Sequence, residues 1–245
     1  MSGHSKWATI KHKKAATDAK RGSLFTKLIK EISVAARGGG NPDTNPRLRV
    51  AIERAKESSM PSDNIDRAVK KGTGQLEGVT YEDITLEGYG SGGVAIYIEG
   101  VSDNKNRTTA EVRTIFTKKG GNMAGAGSVA WMFEKKGYIV VSKAAVEEDK
   151  LMGVALDAGA EDMIVEGENY VIKTSPQDFF KVKKAIDDTG IKTEDAEITL
   201  LPKNTVKVEG ADAKKILDLV DAIEEHEDVQ HVYANFDIPD DLISE

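Results

Sequence analysis

The chain has 245 residues and no cysteine, which excludes disulfide bonds, thiolate zinc sites and a cysteine nucleophile. Hydrophobic residues make up 39% of the sequence and charged residues 31%, a composition that favours a folded protein over a wholly disordered one. The longest apolar runs, such as Val94–Ile98, are far too short for a membrane-spanning helix, and no apolar stretch follows the basic N-terminus as a signal peptide requires.

The net charge of −7 is unevenly distributed along the chain. Residues 1–72 contain sixteen lysines and arginines against seven acidic residues, whereas the remainder contains 18 basic and 34 acidic residues. A basic end on an acidic body predicts a polyanionic partner that is held at that end. A solvated helix whose charges only maintain solubility explains the same run, and the charge pattern alone leaves both interpretations open.

Three amphipathic helices are predicted after a polar, basic segment of about 22 residues. Their predicted termini are Ser23 and Gly38–Gly40 for the first, Asn45-Pro46 for the start of the second, and Pro61 and Gly72 or Gly74 for the third. Short helices with short connections are typical of a small bundle. We therefore assign residues 1–78 to a basic arm and a three-helix bundle.

After Gly78 the apolar period changes from helical to alternating, which predicts strands. Residues 81–87 and 93–100 are predicted to form a hairpin, and the spacing of Thr108 to Glu111 resembles a capping box that begins a helix. Residues 128–133 are predicted to form the next strand.

Residues 137–201 contain the complete order βαββαβ, which predicts a ferredoxin-like unit. The segments before and after it are incomplete and are predicted to combine into one domain. The expected fold class is α+β with three domains: residues 1–78, an α/β domain from residues 79–135 and 203–245, and an inserted ferredoxin-like α/β domain from residues 136–202.

The sequence patterns that could indicate an enzyme do not lie in the structural context that their chemistry requires. Gly88, Gly90 and Gly93 satisfy G-x-G-x-x-G, but the pattern runs into a strand, whereas dinucleotide binding requires it to open a helix. His226 and His231 lie among acidic residues without metal-ligand spacing, which favours a solvated helix end. We therefore predict no catalytic residues, metal, cofactor, small-molecule substrate or membrane association.

The N-terminal segment is the main candidate for binding nucleic acid, because lysines neutralise phosphates and an indole stacks on an unpaired base. Trp7 as an anchor against the bundle explains its position equally well. A second candidate is the polar cluster Asp103–Thr108, where Arg107 either holds an anion or ties the turn to a neighbouring domain. The predicted nucleic-acid-binding residues are Lys6, Trp7, Lys11, His12, Lys13, Lys14, Lys20, Arg21, Lys27 and Arg107.

Several long motifs resemble the YebC/PmpR family. They include Gly3–Trp7, Lys11–Ala16, Phe25–Ile32, Asp103–Arg107 and Gly127–Phe133, and they extend over the first ~135 residues. At Ser102 the resemblance predicts threonine instead.

The resemblance implies a helical N-terminal domain, two α/β domains with one inserted in the other, and no enzymatic activity. It further implies a DNA-binding transcriptional regulator in the bacterial cytoplasm. The alternative it implies is a translational activator that binds ribosomal RNA and relieves stalling. An adaptor that binds proteins through its acidic domains remains a third hypothesis, and the oligomeric state is left open.

Overall fold

The computed structural model describes residues 18–239, with side chains from Gly22 onward. These residues form two compact units: one is Trp131–Thr205, and the other combines the segments that precede and follow it. None of the helices in this part of the chain has both the length and the apolar composition that crossing a membrane requires.

The bundle consists of α1 (Asp18–Ala36), α2 (Pro46–Glu57) and α3 (Ser62–Gly72). Its core is built from the buried apolar side chains of all three helices, including Leu28, Ile32, Leu48, Ala55 and Ile65. These faces are what stabilise helices as short as α2 and α3, since isolated helices of this length are marginal in water.

Two predicted helix starts have different outcomes. Asn45 caps α2 as predicted, because its Oδ1 accepts a hydrogen bond from the peptide N–H of Leu48 at 3.1 Å. The predicted N-cap at Ser23 is wrong, because α1 already begins at Asp18 and passes through Ser23. The apolar face of α1 is packed against α2 and α3, and tertiary packing overrides the weak local preference of serine for a cap.

The bundle is followed by β1 (Glu82–Tyr89) and β2 (Ala95–Ser102), two antiparallel strands that form the predicted hairpin. Helix α4 (Lys105–Lys118) follows, and β3 (Asn122–Ala124) pairs with β1. The predicted capping box at Thr108 is wrong, because α4 begins three residues earlier. Its cap is Asn104, whose Oδ1 accepts from the N–H of Arg107 at 3.1 Å.

Residues 128–132 are not a strand, which corrects the prediction for 128–133. The carboxylate of Glu87 on β1 accepts hydrogen bonds from the peptide N–H groups of Gly127 (2.6 Å), Val129 (2.6 Å) and Ala130 (3.0 Å). Because these donors converge on one side chain, they cannot pair with a neighbouring strand. Burial alone would raise the pKa of Glu87, but the N–H donors outweigh it and the pKa is lowered.

The inserted unit has the predicted order βαββαβ. Its elements are β4 (Phe133–Ser142), α5 (Glu148–Asp157), β5 (Asp162–Glu166), β6 (Asn169–Thr174), α6 (Phe179–Asp188) and β7 (Asp195–Pro202). The antiparallel sheet has the strand order β5-β6-β4-β7, which is the ferredoxin-like arrangement. Its two helices cover one face, with Leu151, Val182 and Ile186 buried against Ile139 and Ile172.

The chain after the inserted unit completes the first sheet. It contains β8 (Val206–Lys207), α7 (Gly210–Glu224), β9 (Val229–Ala234) and β10 (Phe236–Asp237). Strand β9 pairs with β2 and gives the order β3-β1-β2-β9, while β8 and β10 form a separate parallel pair. The predicted fold class is therefore confirmed, since strands from both sides of an inserted α/β unit share one sheet.

We expect Glu87→Gln to loosen the loop from Gly127 to Ala130, because an amide cannot accept from every N–H that the carboxylate serves. The free energy of unfolding should fall by about 1–3 kcal/mol, the cost of leaving a buried donor unpaired. Amide hydrogen exchange should accelerate at Gly127, Val129 and Ala130. The exposed Glu57→Gln serves as the control, and unchanged exchange in Glu87→Gln would contradict the assigned role.

Candidate nucleic-acid interface

Most of the predicted binding residues lie in the N-terminal arm. Lys6, Trp7, Lys11, His12, Lys13 and Lys14 lie outside the described residues. Lys20 and Arg21 belong to the first turns of α1, where the backbone alone is described. The role of these residues in binding nucleic acid therefore stays a prediction. The side chains that anchor the rest of α1 are described below.

Lys27 is held by the C-terminal end of α7. Its Nζ donates a hydrogen bond to the carbonyl oxygen of Glu224, the last residue of that helix, at 2.6 Å. The last carbonyls of a helix carry partial negative charge and lack partners within the helix, so an ammonium group is a favourable cap. Lys27 thus contacts the protein itself, and a phosphate contact remains a prediction.

Lys30, one turn further along α1, forms a buried ion pair with Asp228. The Nζ of Lys30 lies 2.6 Å from Oδ1 of Asp228, and the Asp228 side chain is fully inaccessible to solvent. The same ammonium group donates to the carbonyl oxygen of Glu227 at 3.2 Å. This pair joins the bundle to the turn between α7 and β9.

The second carboxylate oxygen of Asp228, Oδ2, is contacted by donors at the start of α4 and at the end of β2. Thr108 Oγ1 donates to Oδ2 at 2.6 Å, Arg107 at 2.9 Å, and Ser102 Oγ lies at 3.3 Å. Arg107 also donates to Asp103 at 2.8 Å. Ser102 retains the hydroxyl of the threonine that the family resemblance predicts, and this hydroxyl contacts both Thr108 and Asp228.

These contacts determine the ionisation of Asp228. Burial acts to raise its pKa, but hydrogen bonds from Lys30, Thr108 and Arg107 outweigh burial and lower the pKa to about 2. The hydrogen bond from Arg107 to Asp228, followed by that to Asp103, raises the pKa of Arg107. The carboxylate is therefore ionised throughout the neutral range and is satisfied entirely by the protein.

His226 organises the turn that presents Asp228. Its Nδ1 accepts a hydrogen bond from the peptide N–H of Asp228 at 3.1 Å, and its Nε2 lies 3.0 Å from Oε2 of Glu111. The imidazole therefore connects the turn to α4, in place of the predicted solvated helix end. Within residues 18–239 no group of three or more histidine and acidic side chains is arranged to hold a metal ion.

Arg47 forms the second connection between the bundle and the sheet. Its guanidinium donates two hydrogen bonds to the carboxylate of Asp83 on β1, at 2.7 and 2.9 Å, and two to the carboxylate of Glu31 on α1, at 3.0 and 3.4 Å. The hydrogen bond to Asp83 raises the pKa of Arg47, and in return the pKa of Asp83 is lowered chiefly by Arg47. Such a bidentate pair fixes orientation as well as distance.

Together these contacts hold the helix from which the arm extends. Two predicted binding residues, Lys27 and Arg107, take part in these internal contacts. The central residue, Asp228, was missed by the sequence analysis. The hydrogen-bond partners of its carboxylate lie 120 to 198 residues away, so no local pattern marks it.

Comparisons with known proteins give a consistent result over the whole chain. The family model described as "TACO1/YebC protein N-terminal domain" matches residues 5–75, and that described as "TACO1/YebC second and third domain" matches residues 81–236. Similar proteins, each named "Probable transcriptional regulatory protein", occur in Dictyoglomus thermophilum and Desulfatibacillum aliphaticivorans, both at 58% identity. The first alignment covers 99% of this chain and 98% of the relative, and the second covers both completely.

A solved structure is also similar to this chain. The crystal structure of a conserved hypothetical protein from Aquifex aeolicus matches with a TM-score of 0.83 and 50% sequence identity, over 96% of this chain and 98% of that protein.

We expect Asp228→Asn to destabilise the protein by about 3–5 kcal/mol at neutral pH, because it leaves the buried ammonium of Lys30 without a counter-charge. Urea denaturation monitored by circular dichroism measures the loss, with the exposed Asp212→Asn as the control. A loss below 1 kcal/mol would show that Asp228 does not anchor the bundle.

The contribution of Asp228 should also depend on pH in a defined direction. Its folded pKa of about 2 lies below the ordinary value of 3.8, so its ionisation stabilises the fold above about pH 4 and this contribution is lost as pH falls towards 2. The shift corresponds to about 2 kcal/mol, and roughly half of it should be gone at pH 3. The stability difference between the parent and Asp228→Asn should shrink accordingly; a constant difference from pH 7 to pH 3 would contradict the assignment.

Proposed function

Because the chain belongs to the TACO1/YebC family, we propose that it is a non-enzymatic regulator of gene expression that binds nucleic acid through its basic N-terminal segment. The names of its relatives support regulation of transcription as the process. In this proposal the ligand is DNA and the location is the bacterial cytoplasm. Lys6, Lys11, Lys13, Lys14, Lys20 and Arg21 neutralise phosphates in this proposal, and Trp7 stacks on a base.

The observation that carries the proposal is the distribution of charge around α1. Six basic residues precede Gly22 and are accompanied by a single acidic residue, Asp18. The next two cations along the helix, Lys27 and Lys30, are instead bound by the acidic end of α7 and by Asp228. The body therefore fixes the helix, while the arm carries the excess positive charge that attracts a polyanion.

The second candidate function is a ribosome-associated translation factor in which the same arm binds ribosomal RNA. The position of Trp7 between Lys6 and the group of lysines at 11, 13 and 14 supports it. An indole stacks on splayed, unpaired bases, which folded RNA presents more often than duplex DNA. The arm as a solubility feature of a protein-binding adaptor is a third outcome that the test below separates.

Charge reversal of the arm tests the proposal directly. We expect Lys6→Glu, Lys11→Glu, Lys13→Glu and Lys14→Glu together to weaken binding to a fluorescent duplex by more than 100-fold at moderate salt. The slope of log affinity against log salt should fall by about 3 to 4, since each phosphate contact contributes about 0.9 on duplex DNA.

The matched control reverses four exposed lysines elsewhere, Lys118, Lys150, Lys192 and Lys214, and should preserve the slope. Sedimentation of ribosomes from lysate, with and without residues 1–17, distinguishes RNA from DNA. Co-sedimentation that is lost on truncation, together with weak duplex binding, would assign the arm to ribosomal RNA. Equal affinity of both charge variants for every DNA and RNA probe would reject nucleic-acid binding by the arm.

A further inference from the structure

A cleft of about 340 Å³ lies at the opposite end of α1 from the arm, where the C-terminal ends of α1 and α3 meet the connection to β1. Its volume falls at the small end of the range for ligand sites. Residues that line it include Ser33, Arg37, Lys71, Gly72, Gly78 and Tyr81. Two of these six residues, Arg37 and Lys71, are cationic, and the cleft lies wholly within one compact unit.

Arg37 is held in place across this cleft by one of its five N–H donors. Its NH1 donates to the carbonyl oxygen of Tyr81 at 2.8 Å, which fixes the guanidinium over the connecting segment. Within the described residues its other donors make no hydrogen bond, and no carboxylate lies within ion-pair distance. The nearby acidic residues are neutralised by other partners: Glu82 by Lys105 at 3.0 Å and Asp83 by Arg47 at 2.7 Å.

Lys71 faces the same cleft from the last turn of α3. A side chain added at Gly78 would touch Cδ and Cε of Lys71 at 3.7 Å, so the lysine stem lies along the backbone of the connecting segment. Within residues 18–239 its ammonium group has no hydrogen bond or ion pair, even though Glu77 also lines the cleft. The cleft therefore holds two cations that form no ion pair within the described residues, and Arg37 contributes only a minor part of the lowered pKa values of Glu82 and Asp83.

The connecting segment adds peptide donors to these cations. Gly78, Val79 and Thr80 line the cleft, and their N–H groups make no hydrogen bond with any residue that the structure describes. Peptide N–H groups beside basic side chains are the usual ligands of phosphate oxygens, and the arginine fork binds two such oxygens at once. Uncharged or cationic ligands would leave both cations unpaired.

We propose that this cleft binds a phosphate group, with Arg37 as the bidentate ligand, Lys71 as the counter-charge and the segment 78–80 as further donors. The phosphate belongs either to a small phosphorylated metabolite or to the backbone of a polynucleotide. The second source rests on the function proposed above, because it requires that the chain binds nucleic acid. The first is independent of it.

The test uses the full chain with Arg37→Gln and Lys71→Gln combined, and Arg113→Gln with Lys118→Gln as the matched exposed pair. Inorganic phosphate and adenosine monophosphate are titrated against the ¹⁵N amide signals of Gly74 and Gly78, with chloride at equal ionic strength as the reference. A fluorescent duplex is titrated separately over a salt series. Lys71→Gln alone is included because Arg37 also bonds to Tyr81, whereas Lys71 can be replaced without losing a described hydrogen bond.

Phosphate-dependent shifts that occur in the parent and the matched pair, but not in the cleft variants, would support a small phosphorylated ligand. A roughly tenfold loss of duplex affinity in the double variant, with a salt slope reduced by about 1.8, would support the polynucleotide backbone. Absence of both effects overturns the inference. Duplex binding that needs the arm but not the cleft, in the absence of phosphate-dependent shifts, would overturn this inference alone, while phosphate shifts without binding to any DNA or RNA probe would overturn the proposed function alone.

Discussion

The carboxylate of Asp228 is the point on which the arrangement of the bundle and the sheet depends. A buried ion is tolerated only when its surroundings satisfy it completely, and here an ammonium, a guanidinium and two hydroxyls from three chain segments do so. Gly100 allows this geometry, because a Cβ at that position would lie 2.4 Å from the carbonyl oxygen of Asp228. Asp228 therefore contacts β2 through its backbone carbonyl and anchors α1 through its side chain.

The basic residues in and before α1 fall into two groups, according to whether they take part in this anchor. Lys27 and Lys30 belong to the fold, since their ammonium groups donate to carbonyl and carboxylate oxygens at the end of α7 and in the turn that follows it. The cations before Gly22 belong to the segment that we propose to bind nucleic acid. The protein has a net charge of −7, and its acidic residues fix one stretch of a basic helix, while the other stretch carries an excess of positive charge.

The parts of the fold that the sequence predicts are those with local signals. The βαββαβ order follows from alternating periods and glycine punctuation, and the Asn45-Pro46 start of α2 follows from capping chemistry. The errors at Ser23, Thr108 and residues 128–133 share one physical cause, which is that distant groups decide the local conformation. Thr108 bonds to a carboxylate 120 residues away, and Glu87 captures the amides of a loop 40 residues away.

The Lys30–Asp228 contact can form only late in synthesis of the chain. The two residues are 198 positions apart, so the cationic start of the protein leaves the ribosome long before the aspartate that orients its helix has been made. Strand β9, which completes the sheet, also emerges at the end, and contacts of such long range form late. A nascent chain interrupted before residue 228 therefore lacks both the carboxylate that binds Lys30 and the strand that completes the sheet.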